Sequence, residues 1–324
     1  QKGLVIFTGD EPHMRAENYV ATFFEIAKTL NVKRIGVIGG WRADVTRDGA
    51  LADATVSALA QSDDGTLWVG TYQGGVQRLD PGSDRFRRYT RDQGLPSLQI
   101  EYAYISSDGT LWIGTGDGLT RHNAQQDRFE LVDGVDGAAL RMRINVMDEE
   151  VDGRIWVATS NGLFTIDPGT RVLRGLQHDE ARADSLSSDH VLSVLVDREQ
   201  RVWVDTAKGL DRLQRDSAPA RFEHISAQLG RPGESFGGNL LEDGDGRIWT
   251  PLFLLNPADM SLYELHRVDG FDIGAQWNGS SALTRDGHLL FGGSKGIAII
   301  DPSRFQPWLV APEVTITALM VDGQ

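Results

Sequence analysis

An all-β fold, a propeller of six recognisable four-stranded blades, is what three features of the sequence predict. A tryptophan-bearing unit returns along most of the chain, glycine turns separate short β-patterned runs within each unit, and 37 glycines accompany eight tryptophans in 324 residues. The unit reads DGTLWVGTYQGGVQRL from Asp64, DGTLWIGTGDGLTR from Asp108, DGRIWVATSNGLFTI from Asp152, EQRVWVDTAKGLDRL from Glu199, DGRIWTP from Asp245 and DGHLLFGGSKGIAII from Asp286. Its tryptophans are Trp68, Trp112, Trp156, Trp203 and Trp249, with Leu290 in sixth place, at spacings of 44, 44, 47, 46 and 41. Such a period marks repeat arrays, whose units bury their apolar faces only by stacking on neighbours.

Residues 1–40 stand outside the repeat. Leu4 to Thr8 reads as a buried strand and Arg34 to Ile38 as another. Between them Arg15 to Leu30 is helical, with Ala16, Val20, Phe23, Ala27 and Leu30 on one face. A β-α-β unit this short lacks the further strands and helices that would cover it, so it is expected to be a fragment foreign to the propeller. From Trp41 to Ala54 the text is polar and weakly patterned, as at the end of a preceding blade.

In the first unit Val56 to Gln61, Leu67 to Thr71, Val76 to Leu79 and Arg85 to Tyr89 read as strands, with Asp64-Gly65 and Gly74-Gly75 as turns. Four such strands make one blade, and the indole on the second suits the wedge between blades. The fifth unit continues TPLFLLNPADMSLYEL after Trp249, without Gly-Thr or Gly-Leu, so its second and third strands must be joined differently. The tail Pro312 to Gln324 alternates like the first strand of a further β-sandwich. Either the six units close a ring, or a seventh has been lost and the ring exposes strand edges that proteins usually hide.

Gly94-Leu95-Pro96, Asp108-Gly109, Leu111 to Thr115 and Gly118-Leu119, recurring over residues 42–311, resemble the two-component regulator propeller family. The passage FGGSKGIAIIDP into PEVTITALMV is similar to that family's junction with an immunoglobulin-like module, which the resemblance implies over residues 312–324. It also implies an extracytoplasmic, periplasmic sensory domain that reports ligand occupancy through a membrane helix, often for carbohydrates, in receptors that can pair as homodimers. LVIFTGDEPHMRAENY and LNVKRIGVIGG resemble the opening of the proteasome-assembly-chaperone family over about an eighth of the chain. With the rest of that fold missing, no chaperone function is carried over.

The net charge of −14 argues against nucleic acid, since phosphate binding needs a basic surface. With no cysteine there is neither disulfide framework nor thiolate chemistry. No run of about 18 apolar residues occurs and no basic region precedes an apolar N-terminal core, so this piece is expected to be soluble, without membrane span or export signal. The seven histidines lack ligand spacing, so neither metal nor cofactor is expected. Asp243-Gly244-Asp245-Gly246 begins like a calcium loop without its remaining ligands. Gly292-Gly293-Ser294-Lys295-Gly296 matches a nucleophile elbow but occupies a strand-turn-strand slot.

Ligand chemistry is expected on the rim that carries the connections before each first strand and between second and third strands. Counting nine residues back from each turn gives Thr55, Gln99, Arg143, His190, Phe236 and Trp277, while the turns themselves vary at Gln73, Asp117, Asn161, Lys208 and Lys295. Arg143, His190, Trp277, Gln99, Asp117, Asn161, Lys208 and Lys295 are the expected ligand-binding residues, the first three foremost. Cations, amides, a carboxylate and an aromatic ring in one funnel suit a sugar or uronate, through stacking and planar hydrogen bonds. The competing reading is that each is an ordinary solvated turn residue. Binding of an oligosaccharide or other small molecule without turnover is therefore expected. The alternatives are a propeller lyase built on the rim histidine His190 and a propeller that only docks proteins or dimerises.

Overall fold

The computed structural model describes residues 51–305 except 54, 84, 135–139, 171, 216–218, 270 and 285. The β-α-β segment expected over 1–40 and the strand expected over 312–324 lie outside them. Six antiparallel sheets follow one another, each paired in chain order, as a six-bladed propeller. The first blade holds β1 (Val56–Gln61), β2 (Leu67–Thr71), β3 (Gly75–Leu79) and β4 (Arg87–Tyr89). The second holds β5 (Ile100–Ile105), β6 (Leu111–Thr115), β7 (Gly118–Asn123) and β8 (Arg128–Leu131). The third holds β9 (Ile144–Glu149), β10 (Ile155–Thr159), β11 (Gly162–Ile166) and β12 (Leu173–Leu176). The fourth holds β13 (Val191–Val196), β14 (Val202–Thr206), β15 (Gly209–Gln214) and β16 (Arg221–His224). The fifth holds β17 (Leu241–Glu242), β18 (Ile248–Trp249), β19 (Phe253–Asn256) and β20 (Ser261–Glu264). The sixth has three strands among the described residues, β21 (Ser281–Leu283), β22 (Leu289–Gly293) and β23 (Gly296–Ile300), where four were expected.

The second strand of each of the first four blades is buried throughout; in the second to fourth each face meets a neighbouring sheet, whereas in the first Leu67 and Val69 pack with Leu51 and their own blade. Every tryptophan of the repeat fills the wedge towards the next blade. Trp68 packs with Leu111 and Ile113, Trp112 with Ile155 and Val157, Trp156 with Val202 and Val204, Trp203 with Ile248 and Phe253, and Trp249 with Leu289 and Phe291. An indole suits this place through its large apolar area. Its one polar atom must also be satisfied, and the chain does so the same way five times. The indole N–H donates to the residue six positions earlier: Ser62 Oγ (3.2 Å), Ser106 Oγ (3.0 Å), Glu150 Oε1 (2.7 Å), Asp197 Oδ2 (2.8 Å) and Asp243 Oδ2 (2.7 Å). The three carboxylates are balanced by Arg215, Arg201 and Arg247 at 2.9, 2.5 and 2.7 Å. Asp243 also accepts from the Asp245 and Arg247 amides, so the segment that begins like a calcium loop commits this carboxylate to an indole clamp.

A second device shapes the turns between second and third strands. Thr71, Thr115, Thr159 and Thr206 each donate from Oγ1 to the carbonyl of the glycine that opens the third strand. The same oxygens accept from the backbone N–H of Gly74, Asp117, Asn161 and Lys208. The fifth blade keeps the device while losing strand length. Thr250 follows Trp249 directly, donates to Phe253 O and accepts from the Leu252 and Phe253 amides, so a shorter turn joins β18 to β19. In the sixth blade Gly292-Gly293 ends β22 and Ser294-Lys295 forms the turn, strand-turn-strand as expected.

Gly94, in the Gly-Leu-Pro word, shows why that word needs glycine. Its φ is 96°, and a Cβ would lie 2.0 Å from the Phe129 carbonyl oxygen, so only glycine lets the first blade's exit pass against β8.

Candidate functional site

The residue seven positions before each turn aspartate or glutamate is Ser57, Glu101, Asn145, Leu192, Gly238 or Gly279. In the first and third blades it ties the inner strand to the next blade: Ser57 Oγ donates to Ile100 O (2.5 Å) and Asn145 Nδ2 to Val191 O (2.6 Å). The last two are glycines at positive φ, 68° and 78°, and at Gly279 the axis is also crowded. A Cβ on Gly238 would meet Leu192 Cβ at 3.6 Å, and one on Gly279 would meet the Tyr102 ring at 2.8 Å and Asn145 O at 3.9 Å. Gly279 precedes β21 whereas Tyr102 is on β5 and Asn145 on β9, so the sixth blade meets the second and third across the axis. Tyr102, partly buried, thereby lies near the axis between the second, third and sixth blades.

Glu101 is the acidic member of that axial set. Its side chain is 9% exposed and accepts from Arg143 Nη2 (2.9 Å) and from Gln99 Nε2. Gln99 lies against the Gly116 turn, where a Cβ would come within 3.3 Å of its Cδ. Arg143 is half-exposed, so a guanidinium anchored by a nearly buried carboxylate keeps donors on the solvent side. Two of the expected residues, Gln99 and Arg143, thus converge on Glu101. The reading from sequence missed Glu101, although it is the one carboxylate in a register of otherwise neutral residues.

The remaining expected residues are spread over the rim. Asp117 pairs with Arg141 at 3.1 Å, and Lys295 Nζ with Asp272 at 3.0 Å. Asn161 is exposed on its turn, where its carbonyl accepts from Gln177. Lys208 is exposed on the β14–β15 turn. His190 is exposed, and its ring makes no hydrogen bond among the described residues. Trp277 is 54% exposed, with its carbonyl held by Asn239 Nδ2 at 2.9 Å and Ser280 Oγ at 2.6 Å.

The nine-residue count is structurally regular in four blades. There the carbonyls of Thr55, Gln99, Arg143 and His190 all accept from the residue after the turn threonine. In the sixth blade the corresponding N–H, of Ser294, bonds Ala275, while Gly292 bonds Ser280, and Trp277 stands on the excursion between them. Phe236 is fully buried against Phe253, ring centroids 4.6 Å apart, and does not face the mouth.

Phe236 is drawn inward by Asp205, a second residue the sequence reading missed. Asp205 is fully buried in β14 and accepts from Ser235 Oγ (3.0 Å), Phe236 N (2.9 Å) and Gly238 N (2.7 Å), which shapes the loop into the fifth blade. Burial pushes its pKa up to about 7 against the pull of these three donors. Gly70, Gly114 and Ala158 hold the equivalent place in the first three blades, so a carboxylate there was a visible signal.

Among the described residues no group of three or more His, Cys, Asp or Glu side chains could hold a metal ion, and no helix is long and apolar enough to cross a membrane. A model of the two component regulator propeller family matches residues 50–73. A search of curated proteins finds no match. Two crystal structures of the extracellular domain of BT4673 from B. thetaiotaomicron, described as a one component system in one and a hybrid two component system in the other, are similar with TM-scores of 0.59 and 0.58 and identities of 18% and 17%. In both, 83% of this chain is covered, and the chain spans 39% of the other's length. Virginiamycin B lyase from Staphylococcus aureus is similar with a TM-score of 0.54 at 13% identity, over 79% of this chain and 85% of that one. YCF48 bound to D1 peptide is similar with a TM-score of 0.56 at 13% identity, over 80% and 83%. At these identities the likeness is one of fold: a propeller that resembles the extracellular sensor domains of hybrid two-component systems, among others.

Proposed function

We propose that this propeller is the periplasmic ligand-sensing domain of a two-component-type receptor and that its axial mouth binds an oligosaccharide or other small molecule without turnover. The observation that carries the reading is the Glu101–Arg143 pair, 2.9 Å long, a half-exposed guanidinium held by a nearly buried carboxylate next in sequence to the axial Tyr102. Its guanidinium can donate to ligand hydroxyl or carboxylate oxygens, and the exposed ring of Trp277 offers an apolar face to the C–H side of a sugar. The family-model match and the likeness to the BT4673 extracellular domains support the receptor context.

A thermal-shift screen of the full chain against a glycan library tests it. Saturable stabilisation is expected, about 2.7 kcal/mol at a hundredfold excess over Kd. In the double variant Arg143→Ala, Trp277→Ala the ligand-induced shift is expected to vanish while the unliganded protein still melts cooperatively. A flat response from folded wild-type protein sinks the reading, and product accumulating in the same incubation sinks the claim of no turnover.

A further inference from the structure

A cleft of about 330 Å³ opens on the same rim at the fourth blade. The 178–187 segment leading into that blade lines one part and the 226–233 segment leading out of it another, with Lys208 and His224 from the blade itself. Below lies Asp211, fully buried. His224 Nδ1 meets Asp211 Oδ1 at 2.8 Å and His224 Nε2 meets Ala183 O at 2.7 Å. Ala183 O can only accept, so Nε2 carries hydrogen, and where Asp211 is ionised Nδ1 carries one too, which makes the ring an imidazolium. Burial pulls its pKa down, but the hydrogen bonds to Asp211 and Ala183 and the Asp211 charge outweigh this and raise it. Ser187 Oγ also lies 2.8 Å from His224 Nδ1 and 2.6 Å from Asp211 Oδ1, which resembles a catalytic serine set in composition only. A serine nucleophile needs a free imidazole nitrogen to take its proton, and neither is free.

Most polar groups of the lining are committed to the protein. Arg182 serves Ala220 O at 2.8 Å and Asp184 at 3.1 Å, and His178 Nδ1 serves Leu186 O at 2.5 Å. Ser185 and Ser226 bond backbone atoms on both sides. What is left over is divided by element. The loop presents Glu180 and Asp179, the latter with one oxygen bonded to the Ala181 amide, whereas the blade presents the Lys208 ammonium beside the His224 imidazolium. Neither Lys208 nor Glu180 has an ion-pair partner among the described residues.

We propose that this cleft is a second binding site, for a small zwitterion such as a free α-amino acid or a dipeptide, with the carboxylate on Lys208 and the ammonium on Glu180 and Asp179. Charge-assisted hydrogen bonds at both poles supply the attraction. A simple anion would face the two carboxylates, and a simple cation the ammonium and imidazolium, so the same lining rejects singly charged competitors. The volume belongs to the small end of ligand pockets. The inference is independent of the axial mouth.

Calorimetric titration of the full chain with L-alanine and L-alanyl-L-alanine, and with the N-acetylated and C-amidated dipeptide, tests it. At least one zwitterion is expected to bind saturably, and acetylation and amidation are each expected to weaken dipeptide binding about tenfold or more. Lys208→Ala and Glu180→Ala, both at exposed positions, are expected to weaken the bound zwitterion by a similar factor at unchanged melting temperature, and Arg143→Ala to leave it unaffected. No saturable binding of either zwitterion, equal binding of a capped form, or wild-type affinity in Lys208→Ala or Glu180→Ala overturns the proposal.

Discussion

Trp203→Ala is expected to lower the unfolding free energy by about 3–5 kcal/mol from lost burial and the cavity left behind. Three features make Trp203 costly to remove. It is fully buried between the fourth and fifth blades, where Ile248, Phe253 and Leu255 pack with it. Arg201 and Arg212 carry their guanidinium carbons 5.6 and 5.3 Å from its ring centre, and both lose their aromatic partner. Asp197, 1% exposed, loses the indole N–H from Oδ2 and keeps only Arg201 there, which adds to the loss. Trp203→Phe keeps much of the area but not the N–H, so it is expected to fall between wild type and alanine. Urea denaturation of the three proteins measures this. A loss below about 1 kcal/mol in the alanine variant would contradict a wedge filled by this ring.

The second large effect is a pH dependence that runs opposite to ordinary acid denaturation. Folding raises the Asp205 pKa from 3.8 to about 7, because burial disfavours the carboxylate more than its three donors favour it. Between these values the folded chain holds a proton that the unfolded chain has lost. Stability from this group therefore rises as pH falls from 7 towards 4 and is lost as pH climbs through 7. Asp211, raised by burial, and His224, raised by its partners, act in the same direction. Unfolding free energy at about pH 5 is expected to exceed that at about pH 8 by a few kcal/mol, at about 1.4 kcal/mol per pKa unit. Asp205→Asn cannot ionise, so it is expected to flatten most of the slope. It is also weaker at the lower pH, since its amide turns a donor towards Phe236 N or Gly238 N. An unchanged slope in Asp205→Asn would remove Asp205 from the account.

Features with a local cause are legible in the sequence, and features with a distant cause are not. The wedge tryptophans and glycine turns were legible because indole position, two-residue alternation and positive φ each act within a few residues. The nine-residue count found four rim positions that share one backbone bond, and it lost regularity where a distant residue interferes. Asp205 captures the Phe236 amide from another strand, and Ser294 bonds Ala275 rather than Trp277. Glu101 escaped notice for a related reason. Nothing near it in the chain marks it, and it gains meaning only when Arg143, a whole repeat away, arrives beside it. The acceptors of the indole clamps, Ser62 to Asp243, recur two residues before each turn and were legible in principle. The change of chemical type along the chain, from hydroxyl to carboxylate, hides them as a repeat.

The contact of Gly279 with Tyr102 also bears on how the molecule comes apart. In an array where each unit touches only the next, either end can fray while the middle persists, and loss of structure is gradual. A residue of the last blade wedged against the second joins segments that are far apart in the chain. Peeling off the final sheet would uncover the middle of the assembly, so opening is expected to be shared by all the units at once rather than spreading inward from the ends.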